Sequence, residues 1–342
     1  MATISDIAKK SGFSIATVSR ILNYDSALKV PEATKQKVFE TAEALNYTKY
    51  KSKQKNKKKS VPQKNIALFQ WRQGSAEIDD IYYMSIRIGV ERAAHQFGFN
   101  LIKGEFDSPE LKNTIGSICI GKFDSSTIEK ILQVNDNAVF IGTTFPQRGF
   151  DTINSDYAQA TELAINHLLE LGHRKIALVG AEEHDNMFSY REYKTPVVNT
   201  YRDMMIHHGL FNGDYFLVDR NSPLSVACGS ELIQKALKMW DHHLPTAILA
   251  ANDAMAIGVI NELKKHNLNV PEDISVIGIN DLSFSQYTSP SLTTVKTFTE
   301  EMGEVGMLTL KKRIEYPSIT ERIILSTELV VRESTAPVNL RK

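Results

Sequence analysis

Hydrophobic positions recur at helical spacing from residue 3 to residue 46 and predict three short amphipathic helices. Gly12 stands between the first two helices and permits the positive φ that a sharp turn needs. Thr3, with Asp6 three residues later, and Ser14 are placed to cap the first two helices, and Pro31 begins the third. The pattern predicts a helix-turn-helix unit completed by a third helix. Its apolar stripe consists of Ile7, Ala8, Val18, Ile21, Leu22, Val38, Ala42 and Leu45.

From residue 65 onward, short apolar runs alternate with amphipathic segments. The predicted strands are 66–69, 99–102, 117–120, 138–141, 175–179, 215–218, 247–250 and 275–278. The predicted helices are 84–94, 126–133, 157–171, 199–207, 230–240 and 254–266. This alternation is typical of parallel α/β layers, and its two successive series predict two doubly wound lobes. Ligands of such sheets bind outside the carboxyl ends of the strands, so facing lobes would share a cleft.

The outer surface of the second predicted helix carries side chains that can approach DNA closely. Small, hydroxylic and guanidinium groups follow one another there, namely Ser14, Ile15, Ala16, Thr17, Ser19 and Arg20. A helix end of this kind fits the major groove, where arginine can hydrogen-bond a guanine edge and a small apolar group can touch a thymine methyl. The alternative is an ordinary three-helix bundle whose surface has no such role.

The net charge of zero conceals a division between a basic head and an acidic body. Residues 1–64 contain 14 Lys and Arg against 5 Asp and Glu, so the rest of the chain carries a net charge of −9. Eight of these lysines lie in residues 49–64, which contain no acidic residue and little to bury. This composition predicts a linker that is disordered when free and gains from counterion release near phosphates.

Length and composition limit the class of protein. The 342 residues are enough for two or three domains, and no apolar run is long enough to cross a membrane or to serve as a signal peptide. Cys119 and Cys228 are the only cysteines, so a disulfide framework is not expected. We therefore expect a cytoplasmic protein without a membrane partner.

Enzyme signals are weak along the whole sequence. Residues 116–122 fit the spacing of a phosphate-binding loop, but Phe123 stands where that loop needs a hydroxyl for magnesium. The histidines of the pairs 207–208 and 242–243 are adjacent, so they would face different directions on a helix and form poor metal chelates. We expect no catalytic residue, no metal and no cofactor.

A distinctive pattern runs through residues 3–8, 12–23 and 45–47 in the head, and through residues 77–83, 167–168, 171–177, 251–258 and 290–295 in the body. These segments resemble the LacI/GalR family of bacterial transcription regulators. The resemblance implies a helix-turn-helix headpiece at 1–48, a hinge at 49–64, a two-lobed core at 65–335 similar to periplasmic binding proteins, and a tail at 336–342. It assigns 65–158 and 292–322 to the lobe nearer DNA, and 159–288 and 323–335 to the other. The implied DNA contacts are Thr3, Ile4, Ser14, Ile15, Ala16, Thr17, Ser19, Arg20, Asn23 and Thr34.

The hinge departs from the pattern of the family. Relatives place a leucine from a short hinge helix into the minor groove, whereas no leucine lies between Leu45 and Leu68 in this chain. Tyr50 or Val61 could take its place, or the lysines could contact phosphates instead.

Five residues are the candidates for contacts with a small effector: Tyr82, Tyr83, Arg191, Asn252 and Asn280. Planar amides and guanidinium groups span adjacent sugar hydroxyls, and aromatic faces cover the apolar side of a sugar ring. Each has a structural alternative, because the tyrosines could be core residues, Arg191 an exposed arginine, Asn252 a helix cap, and Asn280 the neighbour of a capping Asp281.

The resemblance implies a repressor of a galactose or β-galactoside operon that binds double-stranded operator DNA as a homodimer. Residues 77–91 are similar to repressors of the evolved-β-galactosidase type, although Gly142 stands where galactoside-binding relatives often have Asp. The tail contains no leucine heptads, so a dimer is expected instead of a tetramer. The alternatives are a regulator of a non-sugar effector such as a nucleobase, and a sugar receptor without a role on DNA.

Overall fold

The chain forms two compact units, residues 1–63 and residues 64–342, in a computed structural model. The structure describes residues 2–23, 28, 30–47, 64–71, 81–104, 106–143, 149–182, 195–220, 222–241, 243–316 and 319–338. The lysine-rich linker, with Tyr50 and Val61, therefore lies outside the described residues except for Lys64. No described helix is both long enough and apolar enough to span a membrane.

The first unit contains the three predicted helices, α1 (Ile4–Ser11), α2 (Ile15–Leu22) and α3 (Glu32–Ala44). Thr3 and Asp6 form a complete capping box on α1, and Gly12 ends that helix at φ +79°. Ser14 caps α2 by accepting a hydrogen bond from the backbone N–H of Thr17. The predicted caps and turn are confirmed, whereas Pro31 precedes the first residue of α3 instead of occupying it. The apolar stripe is buried in a single core, with Leu45 at its edge.

The second unit contains two six-stranded sheets. Their strands are β1 (Lys64–Gln70), β2 (Phe99–Ile102), β3 (Thr114–Ile120), β4 (Ala138–Ile141), β5 (Asp151–Ser155), β6 (Ile176–Ala181), β7 (Phe216–Asp219), β8 (Ala247–Ala250), β9 (Ser275–Asn280), β10 (Thr293–Lys296), β11 (Arg322–Leu325) and β12 (Glu328–Val330). The first sheet has the order β11-β5-β4-β3-β1-β2 and is parallel throughout. The second has the order β12-β10-β9-β8-β6-β7, in which only β12 is antiparallel.

Within the described residues, seven α-helices cover the sheets: α4 (Ile81–Phe97), α5 (Ser125–Val134), α6 (Tyr157–Glu170), α7 (Pro196–His207), α8 (Val226–Trp240), α9 (Asp253–Lys265) and α10 (Thr299–Glu315). Each lobe has its own apolar core, since α4 and α10 pack on the first sheet and α6, α7, α8 and α9 pack on the second. The predicted fold class, a helical headpiece followed by two doubly wound α/β lobes, is confirmed.

The chain passes between the lobes three times, after β5, after β10 and after β11. Two of the expected lobe boundaries need correction. Residues 293–296 do not belong to the first lobe, because β10 pairs with β9 from Thr293 opposite Ile277 to Lys296 opposite Asn280. Residues 323–325 do not belong to the second lobe, because β11 pairs with β5. The second and third crossovers therefore lie at 297–298 and 326–327.

Candidate functional site

The first turn of α2 presents an exposed surface whose side chains do not pack into the headpiece core. Ile15 is 56% exposed, although it is a large apolar residue, and Ala16 beside it is also exposed. Val18, Ile21 and Leu22 on the opposite side of the helix are buried. An exposed isoleucine followed by an exposed alanine at a helix N-terminus gives a small apolar surface that can contact the thymine methyl in a major groove.

The polar members of this surface are held in place by local hydrogen bonds. The hydroxyls of Ser14 and Thr17 lie 2.9 Å apart, and the amide of Asn23 donates to Ser19 at 3.4 Å. Arg20 is exposed in the last turn of α2. The side chains of Ser14, Thr17, Ser19 and Asn23 are therefore oriented by contacts within the headpiece itself.

Three predicted DNA contacts lie outside α2 and its two capping residues, Ser14 and Asn23. Thr3 is exposed but its hydroxyl is bonded to Asp6, and Ile4 packs partly against the headpiece core. Thr34 is half-buried in the first turn of α3. The structure places all ten predicted residues on the headpiece, but Ile4 also has a packing role.

A cavity of about 550 Å³ lies between the two lobes of the second unit. Its walls include the residues at or just after six strand ends, namely Trp71 after β1, Lys122 after β3, Gly142 after β4, Ala181 in β6, Ala251 and Asn252 after β8, and Asn280 in β9. The carboxyl ends of both sheets thus meet at one cleft, as expected for ligand sites in open α/β sheets.

Aromatic side chains line the first-lobe wall of the cleft. The ring of Tyr83 packs edge-on against both Trp71 and Tyr82, with centroids 5.6 and 5.0 Å apart. The Nζ atom of Lys122 lies 5.5 Å from the centre of the Trp71 ring. Tyr82 and Tyr83 were predicted here, whereas Trp71 and Lys122 were not. Phe284 adds a second aromatic wall from the other lobe.

Asn252 and Asn280 provide the amide groups of the second-lobe wall. Asn252 caps α9 by accepting from the N–H of Met255 at 2.8 Å, and its amide donates to the carbonyl of Leu224 at 3.0 Å. The structural alternative is therefore correct for Asn252, and it coexists with a place in the cleft. Each amide oxygen and NH₂ group has capacity for more than one hydrogen bond, so both asparagines can still bind a ligand.

Two further positions named from the sequence are Arg191 and Gly142. Arg191 lies outside the described residues. Gly142 has φ +75°, and a Cβ atom there would lie 3.1 Å from Ile86 Cδ1 and 3.4 Å from Tyr83 Cε1. A carboxylate side chain at this strand end would be strained by both backbone and neighbours. Asp and Glu are absent from the described lining of the cavity, so its polar groups are amides, hydroxyls and one amine.

Asp253, next to Asn252, is buried and anchors one side of the cleft. Its carboxylate accepts from the N–H of Leu282 at 2.8 Å and from the hydroxyls of Ser285 and Thr294 at 2.7 and 2.5 Å. Burial raises the pKa of Asp253 to about 7, against the opposing effect of these hydrogen bonds. Because Leu282 lines the cleft, this network fixes the loop that follows β9.

The raised pKa predicts a pH-dependent stability. A carboxyl whose folded pKa is raised contributes stability below its unfolded pKa near 4, and that contribution is lost as pH rises towards 7. Relative to Asp253→Asn, wild-type protein should lose on the order of 2 kcal/mol of unfolding free energy between pH 5 and pH 8. Denaturant titrations of both proteins measure this difference, and identical pH profiles would contradict it.

Comparison with known proteins identifies the chain. Residues 3–49 match the family described as bacterial regulatory proteins, lacI family, and residues 165–335 match a periplasmic binding protein-like domain. The chain is 34% identical over 340 residues to the HTH-type transcriptional regulator GalR of Lacticaseibacillus casei, which covers 98% of this chain and 100% of that protein. The chain belongs to the lacI family.

Solved structures share the fold of this lacI-family chain. The transcriptional regulator CelR in complex with cellobiose superposes with a TM-score of 0.67 at 22% identity, covering 98% of this chain and 100% of that one. The lac repressor dimer bound to operator and an anti-inducer gives 0.66 at 22% identity, with 98% and 99% covered. Both solved structures therefore share the fold of this chain.

Membership of the lacI family makes the chain a DNA-binding transcription regulator and not an enzyme. The predictions of the family, of DNA binding and of a non-catalytic role are confirmed. The phosphate-loop spacing has a structural explanation, because residues 116–120 form buried strand β3 and Lys122 reaches the cleft. Within the described residues, no group of three or more His, Cys, Asp or Glu side chains could hold a metal.

Proposed function

We propose that the protein is a dimeric repressor of a sugar-utilisation operon, released from or tuned on its operator by a small sugar bound between the lobes. Such a regulator acts on the bacterial chromosome, in the cytoplasm. The observation that carries the proposal is the cleft, in which strand ends of both sheets present amides and hydroxyls beside aromatic walls. The DNA partner is supported by the exposed apolar turn of α2 beside Arg20.

The lining of the cleft favours a ligand with many hydroxyls and an apolar ring face. Asn252 and Asn280 can each span neighbouring hydroxyls, and Tyr82 and Tyr157 add phenol groups. The indole of Trp71 can cover the C–H face of a pyranose. A relative of the same fold is known as a complex with cellobiose, which supports a saccharide as the class of effector. Galactose or a β-galactoside is the candidate that the resemblance of residues 77–91 favours.

A dimer is supported by the symmetry that operator recognition needs. Headpieces of this type read two half-sites of a pseudo-palindrome, which requires two copies related by a two-fold axis. A chain of the same fold binds operator as a dimer. Sedimentation at working concentration should therefore give a dimer, and a tetramer would contradict this part of the proposal.

Tryptophan fluorescence tests the sugar site directly. The chain has two tryptophans, Trp71 in the cleft and Trp240, which is buried in the second core and donates its indole N–H to the carbonyl of Asp214 at 2.8 Å. Titration with D-galactose, lactose, cellobiose and adenine should give a saturable change in emission for a sugar. The change should disappear in Trp71→Phe, in which only Trp240 emits.

The outcome separates the candidate effectors. Saturation by adenine alone would replace the sugar with a nucleobase, and no response to any saccharide would contradict a sugar-controlled repressor. The DNA partner is tested separately by enriching duplexes from a random-sequence pool with the intact protein. Failure to enrich any duplex above scrambled competitor would leave a sugar receptor without a role on DNA.

A further inference from the structure

In the described part of the chain, a side-chain hydrogen bond joins the two lobes inside the cleft. The hydroxyl of Tyr157 donates to the hydroxyl of Tyr82, and their oxygens are 2.7 Å apart. Tyr82 lies in the first turn of α4 and packs against the core of the first sheet, whereas Tyr157 begins α6 and packs against the core of the second. Both line the cavity. A contact that holds the lobes together is thus accessible to a ligand between them.

The helix that carries Tyr82 is fixed to α10. A Cβ atom on Gly89 would lie 1.9 Å from the carbonyl oxygen of Glu300, and one on Gly303 would lie 2.2 Å from that of Ile86. Arg92 of α4 adds hydrogen bonds to Glu300 and Glu304 of α10 at 2.6 and 3.1 Å. At this separation the two helices cannot slide independently, so a displacement of Tyr82 moves both.

Helix α10 begins directly after the second crossover between the lobes. The carbonyl of Thr297 accepts from the hydroxyl of Ser155 at 2.5 Å, which ties this crossover to the end of β5. The Thr297 hydroxyl donates to the amide oxygen of Asn280 at 3.3 Å, and Asn280 lines the cleft. Phe298 continues the chain at φ +49°, a conformation that side chains adopt at a cost. The crossover therefore has contacts with both lobes, and one of them reaches the ligand cleft through Asn280.

We propose that the Tyr82–Tyr157 hydroxyl pair is the contact through which the effector sets the relative position of the two lobes. The inference rests on the proposed function, because it requires a hydroxyl-rich ligand in this cleft. A phenol donates one hydrogen bond and accepts others, as a sugar hydroxyl does. A sugar hydroxyl can insert between the phenols and bond to each of them in place of their mutual bond. The inserted oxygen lengthens the path between the phenols and spreads the lobes at this point.

This role separates ligand binding from the response to the ligand. A ligand shifts a conformational equilibrium only through a difference in its interactions with the two states. The indole of Trp71 and the amide of Asn252 contribute to sugar binding without joining the lobes, whereas the phenol pair changes partners when the lobes move. Removing one hydroxyl should therefore weaken sugar binding by less than about tenfold, as expected for a neutral hydrogen bond. It should abolish most of the change in lobe separation.

The experiment measures the distance between the lobes in Tyr82→Phe, Tyr157→Phe and the double variant. Spin labels are placed on Glu129→Cys in α5 and Gln234→Cys in α8, both exposed positions, while native Cys119 and Cys228 are buried. The distance between the two spin labels is measured by double electron–electron resonance, without ligand and with saturating D-galactose or lactose. We expect the sugar to change the wild-type distance and to leave the distance in all three variants nearly unchanged.

The double variant distinguishes a shared contact from two independent effects. Because each hydroxyl acts through the other, the double variant should equal either single variant instead of summing them. Tyr201→Phe is the matched control, since it removes a buried hydroxyl that donates to the carbonyl of Ile176 within the second lobe. That control should keep the full sugar-induced change in distance even if it lowers thermal stability.

Sugar binding is followed in the same proteins by the emission of Trp71. A wild-type protein that binds sugar, together with tyrosine variants that keep its full distance change, would overturn this inference and leave the proposed function intact. A wild-type protein that responds to no saccharide would overturn both. Additive effects of the two single substitutions would assign the tyrosines to separate ligand contacts and contradict the shared one.

Discussion

Replacing Arg20 by Ala should weaken binding to the enriched duplex about ten- to a hundredfold. A bidentate arginine–guanine pair contributes roughly 1–3 kcal/mol of discrimination. Arg20 is exposed on α2 next to the apolar surface of Ile15 and Ala16, so its guanidinium can reach a base edge or a phosphate from the same helix. Fluorescence anisotropy against the enriched duplex and against a scrambled one measures the two affinities.

The salt dependence separates the two possible contacts of Arg20. Loss of a base contact should relax specificity at one position, whereas loss of a phosphate contact weakens all duplexes and lowers the salt slope by about one. Arg322→Ala, which removes an exposed arginine from β11 of the other unit, is the matched control for charge. Undiminished affinity together with undiminished discrimination in Arg20→Ala would contradict the assignment of α2 as the helix that reads DNA.

Gly89→Ala should destabilise the second unit by about 2 kcal/mol or more, at the upper end of the range for overpacked sites. The added Cβ atom would lie 1.9 Å from a backbone carbonyl oxygen of α10, so the helices must separate. Backbone atoms cannot rotate away as a flexible side chain could. Denaturant unfolding, followed by circular dichroism, measures the loss.

The control for this substitution is Gly213→Ala, at a glycine whose Cβ would meet nothing within 4 Å and whose φ is not positive. It should leave the unfolding midpoint nearly unchanged. An unchanged midpoint in Gly89→Ala would show that α4 and α10 tolerate separation, and would remove the rigid link from Tyr82 to the second crossover.

The headpiece was predictable because its determinants are local. The capping box of Thr3 and Asp6, the Gly12 turn and the Ser14 cap are each set by residues within four positions of one another. The strands and helices of the body were predictable where apolar runs are buried on both faces, as in β8 and β9. Caps, turns and hydrophobic periodicity involve residues that are close together in the sequence, so the sequence alone predicts such elements.

Other elements depend on contacts that sequence spacing does not show. Strand β5 (Asp151–Ser155) was missed because its buried positions are largely polar, and the Asp151 carboxylate is satisfied by Arg313 from α10. In α4, which the sequence predicted over 84–94, the apolar Ile88 is 37% exposed, whereas Gly89 beside it lies on the face that packs closely on α10. A glycine does not contribute to a hydrophobic pattern, so the pattern could not predict the close packing of α4 on α10.

The sequence also predicted only some of the residues that line the cleft. Asn252 and the two tyrosines were found because their type and place after a strand or at a helix start suggest ligand contacts. Trp71 was missed because an aromatic residue after an apolar strand is more often a core residue. Lys122 was considered only as part of a failed phosphate loop. Tyr157 became a site residue only when its distance of 2.7 Å from Tyr82 was known.

One titration tests the central claim that a ligand between the lobes controls a DNA-reading headpiece. The affinity for D-galactose, or for whichever saccharide saturates the Trp71 signal, is measured with and without a saturating amount of the enriched duplex. By thermodynamic linkage, a sugar that weakens DNA binding must itself bind more weakly, by the same factor, when DNA is bound. We expect the two sugar affinities to differ by that factor, typically about 5- to 150-fold. Equal sugar affinities with and without DNA would contradict the account.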